Sequence, residues 1–156
     1  MGFMVSTKGR YALRVMLDLA EGGGEEYVPL KDISDRQEIP HKYMEAIMSR
    51  LTKEGLVDAA HGKGGGYRLS RPAETYTVGE ILTATEGDMV PVACLEGGFD
   101  CPRADVCKTL PVWRRLDKMI GDYLDSVRLV DLMDDAERDP RSLGRILAEP
   151  SQRPSS

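Results

Sequence analysis

A mainly α-helical chain with one small two-stranded β-wing is the fold class the sequence predicts, and three observations predict it. Residues 29–54 hold two helical patterns joined by a tight turn at Glu38-Ile39-Pro40. Residues 56–71 hold two short extended runs across the glycine-rich stretch His61-Gly62-Lys63-Gly64-Gly65-Gly66-Tyr67, the signature of a hairpin. A third, longer helical pattern opens at Pro111, a residue suited to a first helical turn. Together they describe a winged helix-turn-helix over residues 1–72, a loop and further helices over 73–135, and a tail over 136–156.

Taken in order, Ser6 or Thr7 caps a first helix reaching about Glu21, with Tyr11, Val15 and Leu19 in one row and Ala12, Met16 and Ala20 in the next. Gly22-Gly23-Gly24 stops it, Tyr27-Val28 forms a short strand, and Leu30 and Ile33 face inward from the second helix. The third helix, residues 41–54, places Tyr43, Met44, Ile47, Met48 and Leu51 on an apolar stripe and Lys42, Glu45, Ser49, Arg50 and Lys53 on a polar side. A helix of this kind after a tight turn packs through one face and enters a DNA major groove with the other.

The hairpin glycines invite comparison with a phosphate-cradling loop, but no Gly-Lys-Ser/Thr follows and the next element is a strand. As a wing, the loop lets Lys63 and the backbone approach a phosphate or narrow groove closely. Thr77 and Glu80 have capping-box spacing ahead of a fourth helix ending near Gly87. Pro91, Gly97, Gly98 and Pro102 break any period across 88–108, which is expected to be a loop.

In the long helix, Trp113, Leu116, Ile120, Tyr123 and Val127 recur at alternating three- and four-residue steps. Because the N-terminal module closes its own small core, this seam is expected to pair two copies, and two reading heads suit a palindromic site. A short final helix is expected within 126–133, and the Pro, Ser and Arg content of 137–156 predicts a disordered tail, with a helical turn at 143–147.

Composition narrows the function. The net charge of -5 is uneven: 11 Lys and Arg stand against 10 Asp and Glu up to residue 72, and 10 against 16 beyond it. Phosphate binding follows the local surface, so the acidic second half does not exclude nucleic acid, although +1 is a weak footprint for a single copy. No apolar run approaches membrane-spanning length and no leader pattern is visible, so a cytoplasmic protein is expected. The first six residues formally fit a myristoylation pattern, but no polybasic second signal follows. Cys94, Cys101 and Cys107 are an odd number clustered in the loop, which argues for metal or redox chemistry over a disulfide framework. Iron-sulfur ligation, zinc and free redox-active thiols all remain open here, with the two-residue spacing usual for a zinc pair absent. A cysteine-dependent enzyme is the reading from another class, and no base lies in a suitable local constellation.

Specific motifs add a resemblance. They are Ser6-Thr7-Lys8-Gly9-Arg10-Tyr11-Ala12-Leu13, Leu30-Lys31-Asp32-Ile33-Ser34, Tyr43-Met44-Glu45, Arg50-Leu51 and Gly55-Leu56-Val57. Gly64-Gly65-Gly66-Tyr67, Val78-Gly79-Glu80-Ile81 and Cys107 ahead of Trp113 complete the set. Over about residues 4–135 the chain resembles the Rrf2 family of bacterial winged-helix transcription regulators, and most closely its iron-sulfur cluster regulator branch. The resemblance implies a homodimer bound to double-stranded DNA, acting as repressor or activator. It also implies an iron-sulfur cluster, of the 2Fe-2S type, held by Cys94, Cys101 and Cys107.

Three departures bear on that cluster. The interval between Cys94 and Cys101 is one residue longer than in the branch, Leu110 stands where a histidine ligand is expected, and Arg10 occupies the place of the aspartate ligand of the nitric-oxide-sensing branch. The fourth ligand is therefore unassigned, with Glu96, Asp100, Asp105, a partner-chain residue or a small thiol as candidates.

The residues expected to contact DNA are Lys8, Arg10, Lys42, Tyr43, Glu45, Ser49, Arg50, His61 and Lys63. Glu45 is the discriminating member: a carboxylate is repelled by phosphate yet accepts from cytosine N4, so it selects among sites more than it tightens binding. His41 and His61 are isolated in sequence and suit phosphate or backbone contacts, and Tyr67 is expected to anchor the wing by packing.

Overall fold

The computed structural model describes residues 5–22, 24–87, 90–95 and 101–133. Its elements are α1 (Thr7–Glu21), α2 (Leu30–Gln37), α3 (His41–Lys53), the strands β1 (Val57–Ala60) and β2 (Gly66–Leu69), then α4 (Val78–Glu86), α5 (Leu110–Ser126) and α6 (Leu129–Met133). Among the described residues no helix is long and apolar enough to cross a membrane. The tail expected at 136–156 lies outside the described residues.

The period of the sequence explains what packs. Ala12, Val15 and Met16 from α1 meet Ile33 from α2 and Met44, Ile47, Met48 and Leu51 from α3, all of them sealed from solvent. Each of the larger of these side chains contributes roughly 1.5–3 kcal/mol by leaving water. Tyr76, Ile81 and Leu129, beyond residue 72, close the same core, so the two expected parts of the chain pack as one body. The turn between α2 and α3 is set by Glu38 in the left-handed region, at φ 53, and by Ser34 Oγ donating to the Ile39 carbonyl at 2.7 Å. Ile39 then drops into the core and Pro40 starts α3.

The wing is anchored at its base. β1 and β2 pair antiparallel from Val57 opposite Leu69 to Ala60 opposite Gly66. Val28 extends the ladder, donating to Tyr67 O at 2.8 Å and accepting from Tyr67 N at 2.9 Å, so the expected strand at Tyr27-Val28 is a single bridge. Gly66, at φ 144, must be glycine because a Cβ there would run into the Val28 carbonyl. Tyr67 packs against the core as expected. The buried Tyr76 hydroxyl donates to Leu56 O at 2.7 Å and accepts from Ser70 N at 3.1 Å, stitching the wing's base to the approach of α4.

One charge is built into this scaffold. Asp18 sits at a core-facing position of α1, 6% exposed, and accepts from Arg36 Nη2 at 2.7 Å, Arg36 Nε at 3.1 Å and Gln37 Nε2 at 2.8 Å. Asp18 raises the guanidinium's pKa, chiefly through that hydrogen bond. Replacing Arg36 by alanine leaves a buried carboxylate with one neutral donor, and is expected to cost roughly 2–3 kcal/mol in chemical denaturation. Asp18→Asn removes the charge and turns one of the two acceptor oxygens into a donor facing Arg36 or Gln37, so it is expected to cost a comparable amount, roughly 1–3 kcal/mol.

Two local expectations are corrected. Thr77 does cap α4, accepting from Glu80 N at 3.0 Å, but the Glu80 side chain does not complete the reciprocal box and pairs with Arg71. The seam of α5 is also rotated from its expected line. Val127 lies past the helix end and is buried with Val78 and Leu82, Ile120 faces a cavity beside α4, and Trp113 is half-buried. Outward lie Val112 (58% exposed), Leu116 (39%), Met119 (56%) and Tyr123 (37%), at four-three-four spacing. The rotation arises because α4 already covers the Ile120 side, a contact that the helical period cannot reveal.

Candidate nucleic-acid interface and cysteine hollow

The core fixes which side of α3 remains outside. With Met44, Ile47, Met48 and Leu51 buried, Lys42, Glu45, Ala46, Ser49 and Lys53 form a continuous exposed row. Tyr43 stands at the row's edge rather than in the core, 40% exposed, edge-on to Tyr11 with ring centres 5.8 Å apart and with Lys42 Nζ 5.0 Å from its ring centre. This contact brings the first turns of α1 alongside α3. Lys8 and Arg10 are exposed there, Arg10 Nη2 donating to Thr7 Oγ1 at 3.1 Å. At the hairpin tip His61 and Lys63 are also exposed.

Two residues differ from expectation. Arg50 turns away from the exposed row, its Nε donating to Ala84 O of α4 at 2.8 Å and its Nη2 lying 3.5 Å from Glu54 Oε1. Its guanidinium therefore joins α3 to α4 and leaves the set of free basic groups. His41, isolated in sequence by expectation, has a carboxylate one helical turn away: its Nε2 lies 3.4 Å from Glu45 Oε1. The i, i+4 spacing is the signal that could have found the pair. Arg14, whose role depends on a contact with α2 that no local pattern shows, sits 5.5 Å over the Tyr11 ring and donates to Gln37 at the end of α2.

The cysteines converge away from this face. Cys94 lies in a short 3-10 turn, Ala93–Leu95, Cys101 precedes the run of turns over 102–106, and Cys107 lies three residues ahead of α5. All three line one hollow of about 180 Å³, with Leu95, Ala104, Leu110 and Trp113 as its apolar wall and Arg114 as its cation. Cys107 Sγ lies in hydrogen-bond contact with Thr109 Oγ1 at 3.2 Å. That bond, then the backbone N–H groups of Thr109 and Leu110 at the start of α5, then the charge of Arg103, lower its pKa and favour thiolate. Thr109, Arg103 and Arg114 were not singled out in the sequence, since their relevance depends on the chain folding back on Cys107.

The donor chemistry fits an iron-sulfur centre: three soft sulfurs around one partly apolar hollow with positive charge on its wall. They are not a preassembled set, for among the described residues no three His, Cys, Asp or Glu side chains come together in metal-holding geometry. Leu110, in place of the expected histidine, is 7% exposed and can only pack. Arg10, in α1, is a guanidinium with no lone pair to offer a metal. Asp105 is exposed, while Glu96 and Asp100 lie outside the described residues.

Comparison with known proteins agrees with this architecture. The Rrf2 family model, described as an iron-dependent transcriptional regulator, matches residues 5–135. The HTH-type transcriptional regulator IscR of Erwinia tasmaniensis is 40% identical over 133 residues, covering 85% of this chain and 80% of its own. IscR of Vibrio vulnificus strain YJ016 is 41% identical over the same length, 85% of this chain and 79% of its own. Among solved structures, T. potens IscR superposes with a TM-score of 0.68 at 35% identity, covering 100% of this chain and 96% of that one. CymR, the global cysteine regulator of B. subtilis, does so at 0.66 and 35%, covering 83% and 95%. These relatives are regulators rather than enzymes, and with a winged helix matched along almost its whole described length the chain belongs to the Rrf2 family of transcriptional regulators.

Proposed function

We propose that this chain is a homodimeric, sequence-specific DNA-binding regulator of the cytoplasm that senses iron-sulfur or redox status through a 2Fe-2S cluster held by Cys94, Cys101 and Cys107. The observation that carries the sensing half is the lining of one hollow by three thiols spread over fourteen residues of chain. A bound cluster supplies redox-active iron that oxidation, nitrosylation or iron shortage removes. The chain supplies the thiolates, the Thr109 hydroxyl and helix N–H groups that favour the charged form at Cys107, and the Arg114 charge beside them. Leu95, Leu110 and Trp113 supply the apolar part of the wall.

On the DNA side, the exposed row of α3 suits a major groove, with Lys42, Tyr43, Glu45 and Ser49 reaching bases or phosphates. Lys8 and Arg10 flank it, and His61 and Lys63 extend to the neighbouring backbone. The apolar stripe Val112, Leu116, Met119 and Tyr123 supports pairing of two copies through α5. Lys42→Ala and Lys63→Ala are each expected to weaken binding to mixed-sequence duplex several-fold and to flatten the dependence of log K on log salt by about 0.9 per lost phosphate contact. Fluorescence anisotropy across a salt series reads both quantities, and unchanged slopes for both variants would remove these residues from the interface.

A second reading keeps the regulator and drops the cluster, leaving control to thiol oxidation, a metabolite or a protein partner. It is favoured by the lack of a preassembled ligand set among the described residues. Anaerobic purification separates the two: brown protein with equal iron and acid-labile sulfide supports the first, and colourless DNA-binding protein the second.

A further inference from the structure

The last turn of α4 holds both DNA-facing elements at once. Glu86, its final residue, accepts from the Ser6 backbone N–H at 3.0 Å and from the Ser6 hydroxyl at 2.5 Å. Ser6 is the N-cap of α1, its own Oγ accepting from Gly9 N at 3.2 Å. Two residues earlier in the same turn, Ala84 O accepts from Arg50 Nε of α3 at 2.8 Å. Directly after it, Gly87 ends the helix and the chain passes toward the cysteines.

The fit at Glu86 is close. Gly9 is buried in the first turn of α1, and a Cβ built there would collide with the Glu86 carboxylate. Gly9 is thus a residue of poor helix propensity kept where only hydrogen leaves room for an acid eighty residues from Ser6 in sequence. Lys8 and Arg10 flank Gly9 and are exposed, and Tyr11 of the next turn meets Tyr43 beside the exposed row of α3. A carboxylate beside a basic DNA-facing turn opposes phosphate by simple charge, so the contacts it makes there point to a positional role.

We propose that Glu86 is a positioning residue for DNA binding: by holding the Ser6 cap it sets Lys8 and Arg10 in register with α3, and it does so from the turn that leads into the cysteine loop. This rests on the DNA-binding reading above, and it makes the α4 terminus the point at which a change in the loop reaches α1 and α3 together. Charge and position predict opposite signs, which gives the test. If Glu86 acted only through charge, Glu86→Gln and Glu86→Ala would tighten binding equally. As a positioning residue, Glu86→Gln keeps an oxygen that accepts from Ser6 and binds duplex as tightly as the parent or slightly tighter, whereas Glu86→Ala binds more weakly.

The experiment measures full-length dimers on mixed-sequence duplex across a salt series, with circular dichroism to establish folding. Glu86→Ala is expected to lose roughly tenfold in affinity and to flatten the salt slope by up to about 1.8, the share of two phosphate contacts. Adding Lys8→Ala and Arg10→Ala to it should cost little more, although that pair weakens the parent. Gly9→Ala, which leaves the acid in place, favours helix and displaces the carboxylate, should reproduce the loss even if Glu86→Ala folds poorly. Amide exchange at Ser6 and Gly9 should quicken in both variants. Tighter or unchanged binding by Glu86→Ala and Gly9→Ala with an unchanged slope, or additive losses with the Lys8 and Arg10 substitutions, overturns the proposal. A parent protein that ignores duplex at low salt sinks the DNA-binding reading itself, and the proposal with it.

Discussion

Leu116→Asp is expected to convert the pair to single chains and to lower affinity for a two-site duplex by ~100-fold or more. Leu116 is central in the stripe formed with Val112, Met119 and Tyr123, on the side of α5 that α4 leaves uncovered. Pairing through a two-fold axis places the substitution at the interface twice. An unpaired carboxylate in an apolar contact costs several kcal/mol, and ~3 kcal/mol already corresponds to a factor above 100 in a dissociation constant. Sedimentation equilibrium reads the subunit state, and gel shifts on one and two half-sites read the linked loss. Ile120→Asp provides the contrast. Because Ile120 lines the cavity beside α4, its substitution should lower the unfolding midpoint as well as any tendency to pair. A dimeric Leu116→Asp protein would refute the assignment of the stripe.

The second large effect concerns the hollow. Cys94→Ala, Cys101→Ala and Cys107→Ala are each expected to yield colourless protein without stoichiometric iron and sulfide after anaerobic preparation, while binding to mixed-sequence duplex persists. The reason is that the hollow the thiols line shares no residue with the exposed row of α3, and the fold's core does not include them. Cys107 carries an additional pH signature. Its thiol is pushed below the ordinary range by the Thr109 hydroxyl, the helix N–H groups and Arg103. In protein stripped of metal, alkylation of Cys107 should therefore rise with pH through a midpoint below that of a free thiol, and Thr109→Val should move that midpoint upward. Full iron content in all three single variants would sink the cluster assignment and leave the regulator intact.

The extent to which these features were legible in sequence differs with the range of the contact involved. The helices were readable because Ala12, Val15 and Met16, or Met44, Ile47, Met48 and Leu51, repeat with the period of the element that buries them. The wing was readable because two short extended runs flank a glycine-rich loop within residues 56–71, whereas the fit of Gly66 against Val28 was not. The cysteine cluster was readable as a motif and as a family resemblance, yet its wall was not: Thr109, Arg103 and Arg114 are ordinary surface residue types until the loop folds against α5.

What sequence by itself determined is the set of elements, the inward face of α1 and α3, and the three thiols in one segment, since all of these depend on neighbours within a few residues. Tertiary structure alone decided the rest. It turned Arg50 from an expected DNA contact into a strut against Ala84, shifted the free face of α5 so that Val112 and Met119 join the expected Leu116 and Tyr123 while Trp113, Ile120 and Val127 turn inward, and joined Glu86 to Ser6. A helix's own period says which residues share a side, but which side meets solvent depends on elements packed from elsewhere in the chain. That choice minimises exposed apolar area over the whole body rather than within any one segment.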